Sequence, residues 1–399
     1  MPWFWVVETE PASLRTRIMD TPTDQYSEEA IDILALTYIS GLGDILIKQL
    51  ISYCGSAAEV MKARKSQLEK IPGIGQFVIQ NLEAEKRQAK LFAVAEIKKL
   101  ENFGGEMFTY LDRSYSSRLK AIPDSPCVLF GKGRFKFEHP RTLAIVGTRQ
   151  ATSYGKEAIS QFLEDLKPYN PLIISGLAYG IDVAAHKLSL QMGYENWAIM
   201  ATGIDSVYPA THKSVADQIS GNGGLLTENK IGTKPDAPRF PARNRIIAGL
   251  ADAIWVVEAI EKGGAQITAR LGNDYFKDVF ALPGNIGQKA SIGCNMLIQK
   301  NMAGIATSGA QLAESMGWEL DDGGFAERKV PIRPTDLNQE DNQILDLMEQ
   351  MGDIQMDEIA WRTQIPINEL AGKLLSLEFM GLVKSMPGKK FGKATARGK

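Results

Sequence analysis

Between residues 141 and 318 the chain alternates short runs of branched apolar residues with longer stretches in which apolar positions recur at helical spacing. The apolar runs predict strands at 143–147, 172–175, 197–202, 224–228, 253–258 and 278–282, and the periodic stretches predict helices near 154–167, 179–193, 211–220, 240–250 and 264–275. A strand such as Leu143-Ala-Ile-Val146, apolar on both faces, suits the interior of a parallel sheet covered on each side. Strand alternating with helix at this spacing predicts an α/β fold with a doubly wound, mostly parallel sheet, whose ligands bind beyond the carboxyl ends of the strands. Residues 98–140 are irregular with short strands, among them Pro126-Cys-Val-Leu-Phe130, and predict an added sheet edge, so this domain is drawn over 101–318.

The flanking patterns differ. Residues 27–100 read as helices, in which Ile39-Ser-Gly-Leu-Gly43 leads into an amphipathic run and Ile71-Pro-Gly-Ile-Gly75 leads into another. The repeated glycine entry resembles the helix-hairpin-helix motif, whose hairpin amides face a DNA phosphate without reading sequence. An equally weighted reading is a small helical scaffold, since acids and bases alternate on its flanks. Residues 319–335 are acidic, then glycine-bearing, then twice interrupted by proline, and predict a linker. Over 336–391, helices at Asn342–Met351, Met356–Gln364 and Ile367–Met380 precede a hairpin with Pro387-Gly388 at its tip, a pattern that resembles a winged helix. Residues 1–26 predict a poorly ordered leader and 392–399 a basic tail.

Composition narrows the function. A formal net charge of -2 over 399 residues means that any nucleic-acid binding must come from a local basic surface. The three cysteines and three histidines are scattered without metal-ligand spacing, which predicts no zinc site, no disulfide framework and a reducing cytoplasm. The apolar opening Met1–Val7 is about a third of a membrane span and lacks the basic start of a signal peptide, so no membrane association is expected.

Candidate chemistry gathers at the predicted strand ends. Gly147, Thr148 and Arg149 follow the first strand, Ser175 and Gly176 the second, and Gly263, Gly264 and Thr268 the fifth. Glycine turns at such ends expose helix-start amides that suit phosphate, and Arg149 adds a planar fork of donors. Phe240-Pro-Ala-Arg-Asn-Arg245 places an aromatic ring beside Arg243, Asn244 and Arg245, the stacking face plus cations that single-stranded nucleic acid asks for. Against these stand plainer readings: ordinary turns, and arginines paired with local acids. Asp182, Glu228 and Glu258 also fall near strand ends, where they either bind Mg²⁺ or, more simply, partner the arginines.

The ordered set Ala144-Ile-Val-Gly-Thr-Arg149, Ser175-Gly-Leu-Ala-Tyr-Gly-Ile-Asp182, Gly203-Ile-Asp-Ser-Val-Tyr-Pro209, Phe240-Pro-Ala-Arg-Asn-Arg-Ile-Ile247, Ile267-Thr-Ala-Arg270 and Gly293-Cys-Asn295 looks like the DNA-processing protein A (DprA/Smf) family. One loop departs from it, Gly263-Gly-Ala-Gln-Ile-Thr268 standing where members often have Ser-Gly-Ser-Leu-Ile-Thr. The resemblance implies an extended Rossmann-like domain without catalytic activity or cofactor. It further implies a homodimer that binds and shields single-stranded DNA during natural transformation and loads the recombinase RecA. Arg149, Phe240, Arg243, Asn244 and Arg245 would then touch the strand, with the glycine loops offering amides to phosphates. Two rival readings are a nucleotide-binding or nucleotide-hydrolysing enzyme of the lysine-decarboxylase-like group and a metal-dependent nuclease acting through Asp182, Glu228 and Glu258.

Overall fold

A computed structural model describes residues 25–320, 337–352, 354–380, 382–386 and 390–393. Most of the predicted leader, linker and tail, and the Pro387-Gly388 wing tip, lie outside them. The chain forms two compact units, residues 1–319 and 320–399.

The first unit is built on nine strands: β1 (Glu106–Thr109), β2 (Val128–Gly133), β3 (Thr142–Val146), β4 (Leu172–Ser175), β5 (Asn196–Ile199), β6 (Gly223–Thr227), β7 (Ala253–Val256), β8 (Asp278–Ala281) and β9 (Gly304–Ile305). Their order is β1-β2-β6-β5-β4-β3-β7-β8-β9. From β6 to β9 all neighbours run parallel, while β1 and β2 add an antiparallel edge to β6. The fold is therefore the mostly parallel α/β sheet that the pattern predicts. The chain winds outward from β3 to β6, then returns through helix Arg239–Leu250 to β7 beside β3, so the crevice of reversed winding opens between β3 and β7.

Strand alternation distributes the core. In β3, Leu143 and Ile145 join the side chains of helix Ser153–Leu166, whereas Ala144 and Val146 face helix Arg239–Leu250. In β7, Trp255 lies on the first face, stacked on Phe162 at 3.6 Å between ring centroids, and Ile254 and Val256 lie on the second. Two of the predicted strands end early by more than one residue. β5 stops at Ile199 and β7 at Val256, so Met200–Thr202 and Val257–Glu258 become rim instead of sheet. Helix Lys289–Gln299 and β9 carry no counterpart in the sequence reading.

The helical segment does not stand apart from the sheet. Ile33, Leu36, Ile47 and Leu50 share one apolar cluster with Val128, Phe130, Ala198 and Met200. Both glycine hairpins form, with Gly41 at φ 84° and Gly73 at φ 79°, left-handed geometry that glycine adopts at no steric cost. The first leans on the helix that follows the second, Gln76–Asn102: Asn81 Nδ2 donates to Ser40 O at 2.9 Å, and the Ser40 amide donates to Glu85 Oε2 at 2.8 Å. One hairpin amide is thus already taken by a carboxylate of this chain.

In the second unit, helices Gln339–Met351, Met356–Thr363 and Ile367–Phe379 pack around Ile344, Met348, Ile359, Leu370 and Leu374. A three-stranded antiparallel sheet, β10 (Ile354–Gln355), β11 (Val383–Met386) and β12 (Lys390–Lys393) in the order β10-β12-β11, completes a winged helix. Pro366 caps the third helix, where its missing N–H costs no bond.

Candidate nucleic-acid interface

The rim between β3 and β7 is an open cleft of about 760 Å³. It takes one wall from the Gly147–Gln150 loop, a second from helix Arg239–Leu250 and a third from Ala259–Arg270. Arg149 and Phe240, distant in sequence, meet here: the guanidinium carbon sits 5.2 Å from the ring centroid, a cation–π distance. Tyr208 extends the row, its ring 5.5 Å from that of Phe240. Arg149 is exposed and Phe240 half-buried, so both present surface to the cleft.

Arg243 has another task. It is buried, and its Nη1 donates to Gly176 O at 2.6 Å and to Ile199 O, closing carbonyls left open at the ends of β4 and β5. Its Nε donates to Asn244 Oδ1 at 3.2 Å, and Asn244 Nδ2 donates to Gly264 O at 3.3 Å, which ties the helix to the opposite loop. Burial lowers the Arg243 pKa to about 10, while the charge of Asp182 works in the other direction. Gly176 makes room for this placement, because a Cβ there would lie 2.5 Å from the Arg243 guanidinium carbon and would oblige that side chain to shift. Asp182 is buried too. Burial raises its pKa, against Arg243 and the backbone amides of Ala178, Gly176 and Gly147, which favour the carboxylate. The glycine loops therefore turn part of their amide seat inward, onto an anion of the same chain.

Several sequence-predicted contacts are committed to protein partners. Ser175 is fully buried and its hydroxyl donates to Ile145 O at 2.6 Å. The Thr268 hydroxyl donates to Gly264 O at 3.3 Å one turn back in its own helix, and the Thr148 amide donates to Glu258 O at 2.7 Å. Arg245 points away from the cleft: its Nη1 donates to Asp124 O at 2.6 Å, and its Nη2 pairs with Asp44 at 3.1 Å and with Glu228. Ser175, Arg243 and Arg245, expected from the sequence to contact nucleic acid, thus each have their side chains engaged by partners of this chain. Gly147, Thr148, Arg149, Phe240, Gly263, Gly264 and Thr268 do line the cleft, as do Arg243 and Asn244.

The reading missed two cations of the same cleft, Lys262 and Arg270, both exposed. It also left aside Tyr179 and Tyr208, which with Arg149 and Phe240 border a small adjoining depression. Lys262 directly precedes the two glycines that open helix Gly264–Asp274, and Arg270 lies one turn beyond the half-exposed Ile267, so helical spacing carries the signal.

The three carboxylates of the nuclease reading do not gather. Asp182 faces Arg243, Glu228 pairs with Arg245, and Glu258 accepts from the Thr152 amide at 2.9 Å and hydroxyl at 2.5 Å. Among the described residues no group of three His, Cys, Asp or Glu is placed to hold a metal.

Glu228 gives a pH prediction. Burial pushes its pKa up to about 7, Arg245 opposing and Asp44 and Asp124 reinforcing the rise. An acid whose folded pKa exceeds its unfolded value near 4.3 stabilises the fold fully below that value, and the contribution is lost as pH rises through about 7. Urea denaturation of the wild type and Glu228→Gln at pH 5 and pH 8 will show the variant gaining relative stability at the higher pH. A difference that is constant across pH would contradict the assignment.

With the geometry in view, comparison with known proteins places the chain. The family model described as DNA recombination-mediator protein A matches residues 106–317, and that of the DprA winged helix domain matches 330–389. The chain belongs to the DNA recombination-mediator protein A family. Protein Smf of Synechocystis is 32% identical over 390 residues, covering 90% of this chain and 97% of its own. DNA processing protein DprA of Streptococcus pneumoniae is 40% identical over 203 residues, covering 51% and 71% respectively. The X-ray structure of the Streptococcus pneumoniae protein overlaps with a TM-score of 0.64 at 31% identity, covering 73% of this chain and 98% of that one. The family match spans every wall of the cleft, Gly147 to Arg270 included.

Proposed function

We propose that this chain is a single-stranded DNA-binding recombination mediator whose strand lies in the β3–β7 cleft. One observation carries the reading: Arg149 and Phe240 converge in a trough open to solvent, with Lys262 and Arg270 on its Ala259–Arg270 wall. A ring beside unburied cations is the combination that stacks bases and follows a phosphate backbone without reading sequence. The uncapped start of helix Gly264–Asp274 adds amides at Gly263 and Gly264 for a phosphate. Arg243, Asn244, Ser175, Gly176 and Asp182 form the frame that shapes the trough, and Thr148 and Thr268 line it.

The protein acts by binding and not by catalysis, and the committed carboxylates support this. Membership in the family supports the finer assignments: protection of incoming DNA during natural transformation, loading of RecA, a homodimer and a cytoplasmic setting. No helix among the described residues is long and apolar enough to cross a membrane.

Fluorescence anisotropy with labelled oligo-dT tests the reading. Three cleft cations neutralising phosphates give a log–log salt slope of about -2, at 0.7 per contact for single strands. An oligonucleotide that stays unbound at low salt, or affinity indifferent to salt, would defeat the proposal.

A further inference from the structure

Arg149 borders more than the cleft. Behind it the surface dips into a groove of about 690 Å³ between helices Ser153–Leu166 and Ile181–Gln191, with Arg149 and Tyr179 at the mouth. The groove floor is small and apolar, formed by the half-buried Ala151, Val183, Ala184 and Leu188. Its sides carry two exposed lysines, Lys156 and Lys187, against a single acid, Glu157. Tyr179 also borders the small depression that reaches Phe240, and its half-exposed ring stands edge-on to His212 at 5.0 Å. His212 is fixed in turn, its Nδ1 lying 2.8 Å from Leu177 O. Arg149 and Tyr179 are thus shared members of adjoining depressions.

We propose that this groove is a second seat for the same DNA strand, which passes Arg149 and Tyr179 and continues between the two helices. The inference rests on the single-strand reading of the cleft. A polymer, unlike a metabolite, has to leave the site it enters, and an open cleft gives it an exit. The exit with Arg149 on its lip has a net positive lining and an apolar floor, which match phosphates and the faces of bases and sugars. The same floor could serve a protein partner, and the test separates the two.

Labelled oligo-dT of about 6 and about 18 nucleotides, one within and one just beyond the roughly 4–16 nucleotides of a single-strand site in an OB fold, is titrated against the full chain. Lys156→Gln combined with Lys187→Gln removes the charge, and Ala184→Trp plugs the floor without changing charge. Each variant is expected to bind the short strand within twofold of wild type and the long strand at least tenfold more weakly. The charge variant also loses about 1.4 from the salt slope for the long strand, two contacts at 0.7 each. Unchanged binding of both lengths overturns the inference and leaves the floor to a protein, and equal weakening at both lengths overturns it as well. Wild-type chain that binds neither length sinks the cleft reading and this one together, whereas intact short-strand binding with no long-strand effect sinks the groove alone.

Discussion

Replacing Arg243 by alanine is expected to destabilise the first unit by about 3–5 kcal/mol, the cost typical of stranding one member of a buried ion pair. The loss has several parts. Asp182, 7% exposed, keeps its backbone amides but loses the Arg243 charge that favours its carboxylate, and the carbonyls of Gly176 and Ile199 lose their donor. Because Arg243 also borders the cleft, water can enter the space it leaves, which sets the effect toward the lower end of that range. Urea denaturation followed by far-ultraviolet circular dichroism measures it. Arg243→Lys should recover only part of the loss, since an ammonium has no counterpart to the Nε that donates to Asn244 Oδ1 while Nη1 serves both carbonyls. Adding Asp182→Asn to Arg243→Ala should restore some stability by removing the orphaned charge, and a double variant weaker than the single one would argue against the pairing. DNA binding falls in Arg243→Ala through the frame, so it should recover with stability in the double variant.

The fate of Arg243 shows where the sequence was readable and where it was not. The unbroken apolar runs Leu143–Val146 and Ala253–Val256 foretold a sheet buried on both faces, and the structure divides those residues between two cores accordingly. The reading of Phe240–Arg245 as one recognition surface ignored helical geometry. Successive residues turn about 100° around the axis, so Arg245 cannot share a face with Phe240, whereas Arg243 and Asn244, three and four positions on, can. Arg245 accordingly faces Asp44 and Glu228 at the helical layer. What spacing could not reveal is the depth at which a side chain ends. Arg243 and Arg149 are the same residue type on the same rim, yet one closes strand-end carbonyls and the other stays exposed, a difference set by the room that Gly176 leaves. The inward anion at Asp182 was equally hidden, because an acid near a strand end looks the same whether it awaits a metal or fills an amide nest. The shared core of the helical segment and the sheet depends on contacts between residues about a hundred positions apart, which no local periodicity records.

Arg149→Ala together with Phe240→Ala is expected to weaken binding of oligo-dT by about 100-fold while leaving the fold intact. The two side chains act on different parts of a nucleotide, a ring on the base and a guanidinium on the phosphate, so their losses combine. Stacking on an aromatic ring is worth about 1–3 kcal/mol per base, which is about 5- to 150-fold for Phe240 alone. Removing Arg149 takes away one phosphate contact, visible as a salt slope shallower by about 0.7. The pair also holds itself in place, with the guanidinium 5.2 Å from the ring centroid, so each single variant loosens its neighbour and the double variant should cost less than the sum of the singles. Phe240→Leu separates stacking from bulk: it keeps apolar volume in the cleft and loses the π face, so it should retain less than a tenth of wild-type affinity. Neither residue is part of the buried core, and thermal melting of the double variant should match wild type within a few degrees. Affinity unchanged in a double variant that melts normally would remove the trough from the binding path, whatever the family resemblance.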